Sequence, residues 1–206
     1  MSRFLVCFLL AAAAFGQYRI ESGAQPPAGL APEMAALLQS GIQVIGPGGA
    51  VFAEIWFRAA APKGVKTSEE GVAFPEVPHG ALLGAIRFPG PGADRRGQTL
   101  RPGVYTLRFS LHPINGDHLG VAPQRDFLVL APAAEDRDAG ATPAFEALMD
   151  MSRKVSGTPH PAVLSLSSAS GDTFPRLEKE GGHDWVLMAK IGDLPVALIV
   201  IGKAEG

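Results

Sequence analysis

The chain has 206 residues, of which 47% are hydrophobic and 18% are charged, and its formal net charge is −2. This composition is that of a folded protein and excludes a disordered, highly charged chain. Acidic residues outnumber lysine and arginine by 20 to 18, which excludes a general electrostatic attraction to nucleic acid, so we expect no nucleic-acid partner.

The first residues are organised like a secretory signal peptide. Arg3 precedes an apolar run over residues 4–14, and Ala14-Phe15-Gly16 supplies the small residues of a cleavage site. The run is shorter than the roughly 20 residues that span a bilayer, and the sequence predicts no transmembrane segment. We therefore predict a signal peptide over residues 1–16 and an exported protein, either periplasmic or secreted. The alternative is a buried N-terminal helix.

Cysteine usage agrees with this interpretation. Cys7 is the only cysteine, and it lies within the predicted signal peptide. The mature chain would therefore contain no disulfide and no thiolate metal site. Its stability would depend on a hydrophobic core, which a chain of this length can build.

Eight segments predict β-strands, because apolar residues occupy alternate positions or fill the whole segment. The alternation is clearest over residues 104–111. The last two segments are apolar at nearly every residue, which indicates two buried faces or an interface. The predicted strands cover residues 42–45, 51–58, 82–88, 104–111, 126–130, 162–167, 185–191 and 196–201.

Glycine and proline mark the turns between these strands. Gly46-Pro47-Gly48-Gly49 predicts a hairpin between the first two predicted strands. Arg101-Pro102-Gly103-Val104 predicts a type II turn with Gly103 at positive φ. Gly192-Asp193-Leu194 separates the last two strands.

Two helices are also predicted. Apolar residues over 30–38 follow helical spacing, and Pro32 stands near their start. Thr142 is the predicted N-cap of the second helix, with Pro143 at its first position and Gly157 just past its end. The segment 131–140, rich in Ala, Asp and Glu, is expected to be an exposed linker.

The segment Leu100-Arg101-Pro102-Gly103-Val104-Tyr105-Thr106-Leu107 resembles the L-x-P-G-x-Y-x-L segment of transthyretin-like and related Ig-like domains of exported bacterial proteins. Together with the strand pattern, it predicts a mainly β protein: an antiparallel β-sandwich with one or two short helices. We expect a sandwich core over residues 17–132, with a helix and strands over 133–206 that complete the same domain. The resemblance implies a binding, adhesive or accessory module.

One long connection is a candidate metal site. His112, Asp117 and His118 lie between the strands predicted at 104–111 and 126–130, and His79 could join them if its loop lies at the same end. Imidazole and carboxylate groups are ligands for zinc or copper. The alternative is an ordinary turn with solvated histidines. A periplasmic metal-binding protein is therefore one hypothesis for function.

A second candidate is a surface for a partner. Phe52, Trp56 and Arg58 lie on one predicted strand face and could form an exposed aromatic and cationic stripe for a glycan or a protein. If both faces of that sheet are covered, these residues are simply core, which is the alternative that the apolar pattern favours.

Signals for catalysis are weak. The sequence contains no nucleophile elbow, zinc-protease motif or Walker A motif. Glu54, Asp94, Asp117 and Asp126 could in principle supply the carboxylate pair of a hydrolase acting on envelope polysaccharide or peptide, but nothing fixes their separation. The leading hypothesis is therefore an exported, non-catalytic binding or cell-envelope accessory module with a protein or glycan partner.

Overall fold

The computed structural model describes residues 17–113 and 125–204. Within them the strands are β1 Arg19–Ala24, β2 Gly41–Ile45, β3 Val51–Phe57, β4 Leu82–Phe88, β5 Gly92–Ala93, β6 Thr99–Leu100, β7 Gly103–Leu111, β8 Asp126–Pro132, β9 Val163–Ser168, β10 Arg176–Glu180, β11 Asp184–Ile191 and β12 Leu194–Ile201. The two helices are α1 Pro32–Ala35 and α2 Phe145–Ser156.

Ten of these strands form one antiparallel sheet in the order β1-β2-β3-β4-β7-β8-β9-β12-β11-β10, and β5 pairs with β6 separately. The edge strands β1 and β10 approach each other, so the sheet curls into a nearly closed barrel. The predicted mainly β, antiparallel class is confirmed. A sandwich of two separate sheets is not confirmed, because β9 pairs with both β8 and β12 and thereby joins the two halves.

The core fills the inside of this barrel, as the alternation predicted. In β7, Tyr105, Leu107 and Phe109 point inward, whereas Arg108 between them lies on the outer face. The outer face is itself covered in two places. α1 packs over β3 and β4, and α2 packs over β8 and β9.

The final two strands are covered on both faces. Their inner residues join the barrel core, while Val186, Met188 and Ala197 pack outside against Ala169 and Phe174 of the β9–β10 connection. Two buried faces within the chain therefore account for the nearly continuous apolar pattern of β11 and β12.

The antiparallel registers place the connections at two ends of the barrel. The β1–β2, β3–β4, β7–β8, β9–β10 and β11–β12 connections share one end, which we call the upper end. The segment 133–143 leaves β8 at the lower end and returns along the outside of β7, and α2 then runs back along β8.

Two expectations about turns and caps are wrong. Gly103 does not have a positive φ, because it is the first residue of β7 and pairs with Phe88 in extended conformation. Thr142 does not cap α2, which begins at Phe145 after an uncapped Ala144. Residues 142 and 143 pack instead against the backbone at Gly80, where a Cβ would lie 2.8 Å from the Pro143 carbonyl oxygen.

The first predicted helix is shorter than its apolar pattern indicated. Only Pro32–Ala35 is helical, because the following residues pair with the end of β3. The N–H of Gln39 donates to the carbonyl of Phe57 at 2.9 Å, and Leu38 forms a β-bridge with Arg58. Tertiary pairing thus overrides the local helical spacing.

The edge strands β1 and β10 were not predicted from the sequence. They are largely exposed and mostly polar, and edge strands often carry such residues, which discourage pairing with other chains. One side chain of each strand, Ile20 in β1 and Leu177 in β10, packs against the barrel core, so neither strand shows the alternation by which the central strands were recognised.

The expectation of an exposed linker over 131–140 holds only in part. Five of its residues are exposed, but Ala131, Ala133 and Asp136 are buried. The cause is the fully buried guanidinium of Arg108 on the outer face of β7. Its Nε and Nη2 donate to the two carboxylate oxygens of Asp136, each at 2.6 Å.

The remaining donors of this guanidinium reach three backbone carbonyls. Nη1 donates to Gly80 at 2.7 Å and to Ala141 at 2.5 Å, and Nη2 donates to Asp138 at 2.7 Å. All five N–H groups of Arg108 therefore have acceptors. The guanidinium holds together β7, the segment 133–143 and the end of the β3–β4 connection.

We expect Arg108→Ala to lower the free energy of unfolding of residues 17–206 by about 3–5 kcal/mol, because it leaves the Asp136 carboxylate buried without its cation. Arg19→Ala is the matched control, since Arg19 and Glu21 form an ion pair whose side chains are 56% and 54% exposed. Loss of this exposed ion pair should lower the free energy of unfolding by at most about 1 kcal/mol. Urea unfolding measures both, and equal effects would contradict the role given to Arg108.

Candidate functional site

The β3–β4 connection is the longest that the structure describes in full at the upper end. β3 ends at Phe57 and β4 begins at Leu82, so 24 residues connect two neighbouring strands, where a few residues usually suffice. The connection folds back on itself: Gly64 N–H donates to the Glu76 carbonyl at 2.7 Å, and Thr67 N–H donates to the Pro75 carbonyl at 2.8 Å. Long connections with defined structure often carry function.

A buried carboxylate holds the returning half of this connection. Asp126, at the start of β8, is fully buried and accepts hydrogen bonds from the N–H groups of Ala73 at 2.9 Å and Phe74 at 3.0 Å. Burial raises the pKa of Asp126, and the two N–H donors and the Arg125 charge oppose this shift. The carboxylate satisfies two backbone donors that would otherwise lack partners.

Arg125 adds a second attachment. Its guanidinium donates to the carbonyls of Glu70 at 3.0 Å and His112 at 2.9 Å, and to the Glu69 carboxylate at 2.6 Å. Together with Arg108 at Gly80, these contacts fix the second half of the connection from residue 69 onward.

A cleft of about 700 Å³ lies between this connection and the β11–β12 turn. It is lined by Gln39, Ala59, Ala60, Ala61, Pro62, Lys63, Lys66, Ala73, Phe74, Pro75, Glu76, Val77, Gly192, Asp193 and Leu194. Phe74 and Val77 in its wall belong to the barrel core. The volume is within the range of small-molecule sites, about 300–1,000 Å³.

The β11–β12 turn contacts the end of β3 directly. Gly192 N–H donates to the Arg58 carbonyl at 3.2 Å, and a Cβ on Gly192 would lie 3.1 Å from Ala60 Cα. Gln39 reinforces the contact, since its Nε2 donates to the Lys190 carbonyl at 2.6 Å and to the Arg58 carbonyl at 3.3 Å. A second cavity of about 330 Å³ also borders Gln39 and Gly192.

Four exposed charged side chains line the larger cleft: Lys63, Lys66, Glu76 and Asp193. Within residues 17–113 and 125–204, none of the four forms an ion pair or a side-chain hydrogen bond. Both signs of charge are therefore available to a ligand at this site.

Two of the candidate metal ligands lie at the same upper end, on the outer face. His79 Nδ1 lies 3.2 Å from Ser110 Oγ near the end of β7, and His112 directly follows β7. The His112 ring stacks on Phe127 with centroids 4.0 Å apart. Burial lowers the pKa of His79, and a hydrogen bond with the Pro143 backbone opposes this shift.

The other two predicted ligands, Asp117 and His118, lie outside the described residues. In the part of the chain that the structure describes, no group of three His, Cys, Asp or Glu side chains could hold a metal ion. The structure thus places His79 at the same end of the barrel as His112, as the metal hypothesis requires, without completing a site.

The structure does not form the exposed stripe considered for Phe52, Trp56 and Arg58. Trp56 is buried beneath α1 and donates through Nε1 to the Ala24 carbonyl at 3.0 Å. Phe52 is the additional residue where the β2–β3 register shifts, so its ring packs with the barrel core rather than beside Trp56. Arg58 is half-buried at the end of β3.

The described carboxylates considered for hydrolysis have structural contacts and do not converge. Glu54, on the outer side of β3, contacts Gln43 and Arg87. Asp94, beside β5 at the lower end, accepts hydrogen bonds from three backbone N–H groups and from Gln98, while burial raises its pKa. Asp126 lies at the opposite end.

No family model, curated protein or solved structure matches this chain. Among the described residues, no helix is long and apolar enough to cross a membrane. The cleft residues were not among the sequence candidates. The available signal was the long interval without strand alternation between residues 58 and 82, which contains Pro62, Pro75 and Pro78.

We expect Gly192→Ala to destabilise the protein more than Gly181→Ala. Both glycines have φ near +60°, at +59° and +58°, so alanine incurs the same left-handed backbone cost of about 1–2 kcal/mol. The two sites differ in their surroundings. A Cβ on Gly192 would lie 3.1–3.2 Å from three backbone atoms of residues 59–61, whereas a Cβ on Gly181 would have no atom within 4 Å.

Gly192→Ala should lower the free energy of unfolding by about 1–3 kcal/mol more than Gly181→Ala, as for other overpacked sites. Urea unfolding of the two variants measures the difference. Equal stabilities would show that the turn does not press on the end of β3.

Proposed function

We propose that this chain is an exported, non-catalytic binding protein whose ligand occupies the upper-end cleft. The observation that carries the proposal is the cleft itself. It measures about 700 Å³, has core residues in its wall, and is bordered by four charged side chains that have no ion-pair partner among residues 17–113 and 125–204. A large concave site with apolar walls and a few polar groups is the usual form of a binding site.

The attachment of the β3–β4 connection supports this proposal. Asp126, Arg125 and Arg108 hold its backbone at residues 70, 73, 74 and 80. A wall fixed before the ligand arrives loses little conformational entropy on binding, which favours affinity.

Export and the sandwich relationship are part of the same proposal. The signal-peptide pattern of residues 1–16 supports export to the periplasm or the exterior. We infer a relationship to Ig-like or transthyretin-like sandwiches from the segment over residues 100–107 alone. The burial of Trp56 favours the cleft over a glycan-stacking face.

The proposal is tested by filling the cleft. Ala60 is exposed in the cleft wall, and Ala134 is another exposed alanine, in the segment 133–143. Saturation-transfer NMR of residues 17–206 would use three probes: a free tetrapeptide, dodecanoate and the trisaccharide of N-acetylglucosamine. We expect at least one probe to bind, and Ala60→Trp to weaken that binding at least tenfold.

Ala134→Trp should leave the same binding unchanged. The absence of binding by all three probes, or binding that Ala60→Trp and Ala134→Trp affect equally, would overturn the cleft as the ligand site.

A second candidate function is zinc or copper binding, which is favoured by the position of His79 beside Ser110 and of His112 at the end of the same strand. A lowered pKa keeps the His79 imidazole neutral, which is the form that binds metals. We expect near-stoichiometric metal in the untagged protein by elemental analysis, lost in the double variant His79→Ala/His112→Ala.

The control is His160→Ala, an exposed histidine at the opposite, lower end. A wild-type protein that contains no metal, and takes up none from zinc and copper salts, would exclude this second candidate.

A further inference from the structure

We infer, on the basis of the proposed binding function, that the ligand of the upper-end cleft is a short peptide with free, oppositely charged ends. The first observation is the balance of charge around the cleft. Lys63 and Lys66 contribute two cations, and Glu76 and Asp193 contribute two anions. A ligand that carries one sign of charge would be attracted by one pair and repelled by the other.

The second observation is the backbone in the cleft wall. Ala59, Ala60 and Ala61 follow the end of β3 and line the cleft with small side chains. In the described part of the chain, the N–H groups of Ala60 and Ala61 donate no hydrogen bond. Peptide carbonyls are natural acceptors for such donors, as in the pairing of a bound strand with an exposed backbone edge.

The third observation is the apolar part of the wall. Phe74, Val77 and Leu194 reach the cleft from the barrel core or from residues packed against it. They offer burial to one or two apolar side chains, while the charged groups remain at the rim. A peptide combines all three features: charged ends, amide groups and apolar side chains.

Other ligand classes match only part of this site. A fatty acid would use the apolar wall and the lysines, but its carboxylate would have no use for Glu76 and Asp193. A neutral glycan would leave all four charges without partners, and no aromatic platform faces the cleft apart from Phe74. The balance of charges therefore favours the peptide.

The test compares the tetrapeptide Ala-Leu-Leu-Ala with free ends against its N-acetylated, C-amidated and doubly capped forms. Dissociation constants for residues 17–206 are measured by NMR titration at low salt, with dodecanoate and the neutral trisaccharide as the other ligands. We expect each cap to weaken binding about three- to tenfold, the effect of losing one or two partly solvated ion pairs.

Paired variants of the cleft residues identify which charged side chains bind each end of the peptide. Lys63→Ala/Lys66→Ala should weaken binding of the free-carboxylate peptide by the same factor and leave the amidated peptide unaffected. Glu76→Gln/Asp193→Asn should weaken binding of the peptide with a free amino end by the same factor and leave binding of the acetylated peptide unaffected. The control is the double variant Lys154→Ala/Lys179→Ala, which removes two exposed lysines outside the cleft and should leave binding of every peptide unchanged.

The outcomes separate this inference from the proposed function. Binding of dodecanoate or the trisaccharide that Ala60→Trp abolishes, without peptide binding, would overturn the peptide and leave the cleft as the ligand site. Peptide binding that is insensitive to both caps would also overturn the inference. If no probe binds in a manner sensitive to Ala60→Trp, both proposals fail.

Discussion

A fully buried guanidinium on the outside of the barrel constrains much of this structure. Arg108 has five N–H groups, and each finds an acceptor on Asp136, Gly80, Ala141 or Asp138. Removing a cation from water costs several kcal/mol, so these acceptors must all be in place at once. The requirement fixes one path for the segment 133–143 and one endpoint for the β3–β4 connection.

The candidate site depends on this arrangement. The connection that forms the cleft is held at Gly80 by Arg108, and at Ala73 and Phe74 by the buried carboxylate of Asp126. Opposite it, the Gly192 turn closes onto the end of β3. These attachments hold the side of the connection that faces the barrel. The other side carries Lys63, Lys66 and Glu76, which have no ion-pair partner in the described part of the chain and are available to a ligand.

The sequence predicted the parts of the fold that follow from local pattern. All eight predicted strands are present, because each central strand has at least one face in the barrel interior. The edge strands were not recognised because a single side chain of each, Ile20 in β1 and Leu177 in β10, packs against the barrel core, which is too few to show alternation. The cleft was not predicted for another reason: it lies between the β3–β4 connection and the β11–β12 turn, which are far apart in the sequence and carry no strand pattern. The aromatic stripe was excluded only by the register shift at Phe52 and the burial of Trp56.

By itself the sequence determined a mainly β, antiparallel protein with its central strands, its hairpin turns and the C-terminal end of α2 at Gly157, since these depend on residues close in the chain. The tertiary structure alone decided that the strands form one nearly closed sheet, that Arg108 is buried, and that a cleft lies between residues 59–77 and the Gly192 turn. These features join residues that are more than 150 positions apart, since Ala24 ends β1 and Arg176 begins β10. No local pattern encodes such contacts, because they arise only when the strands close around a common core.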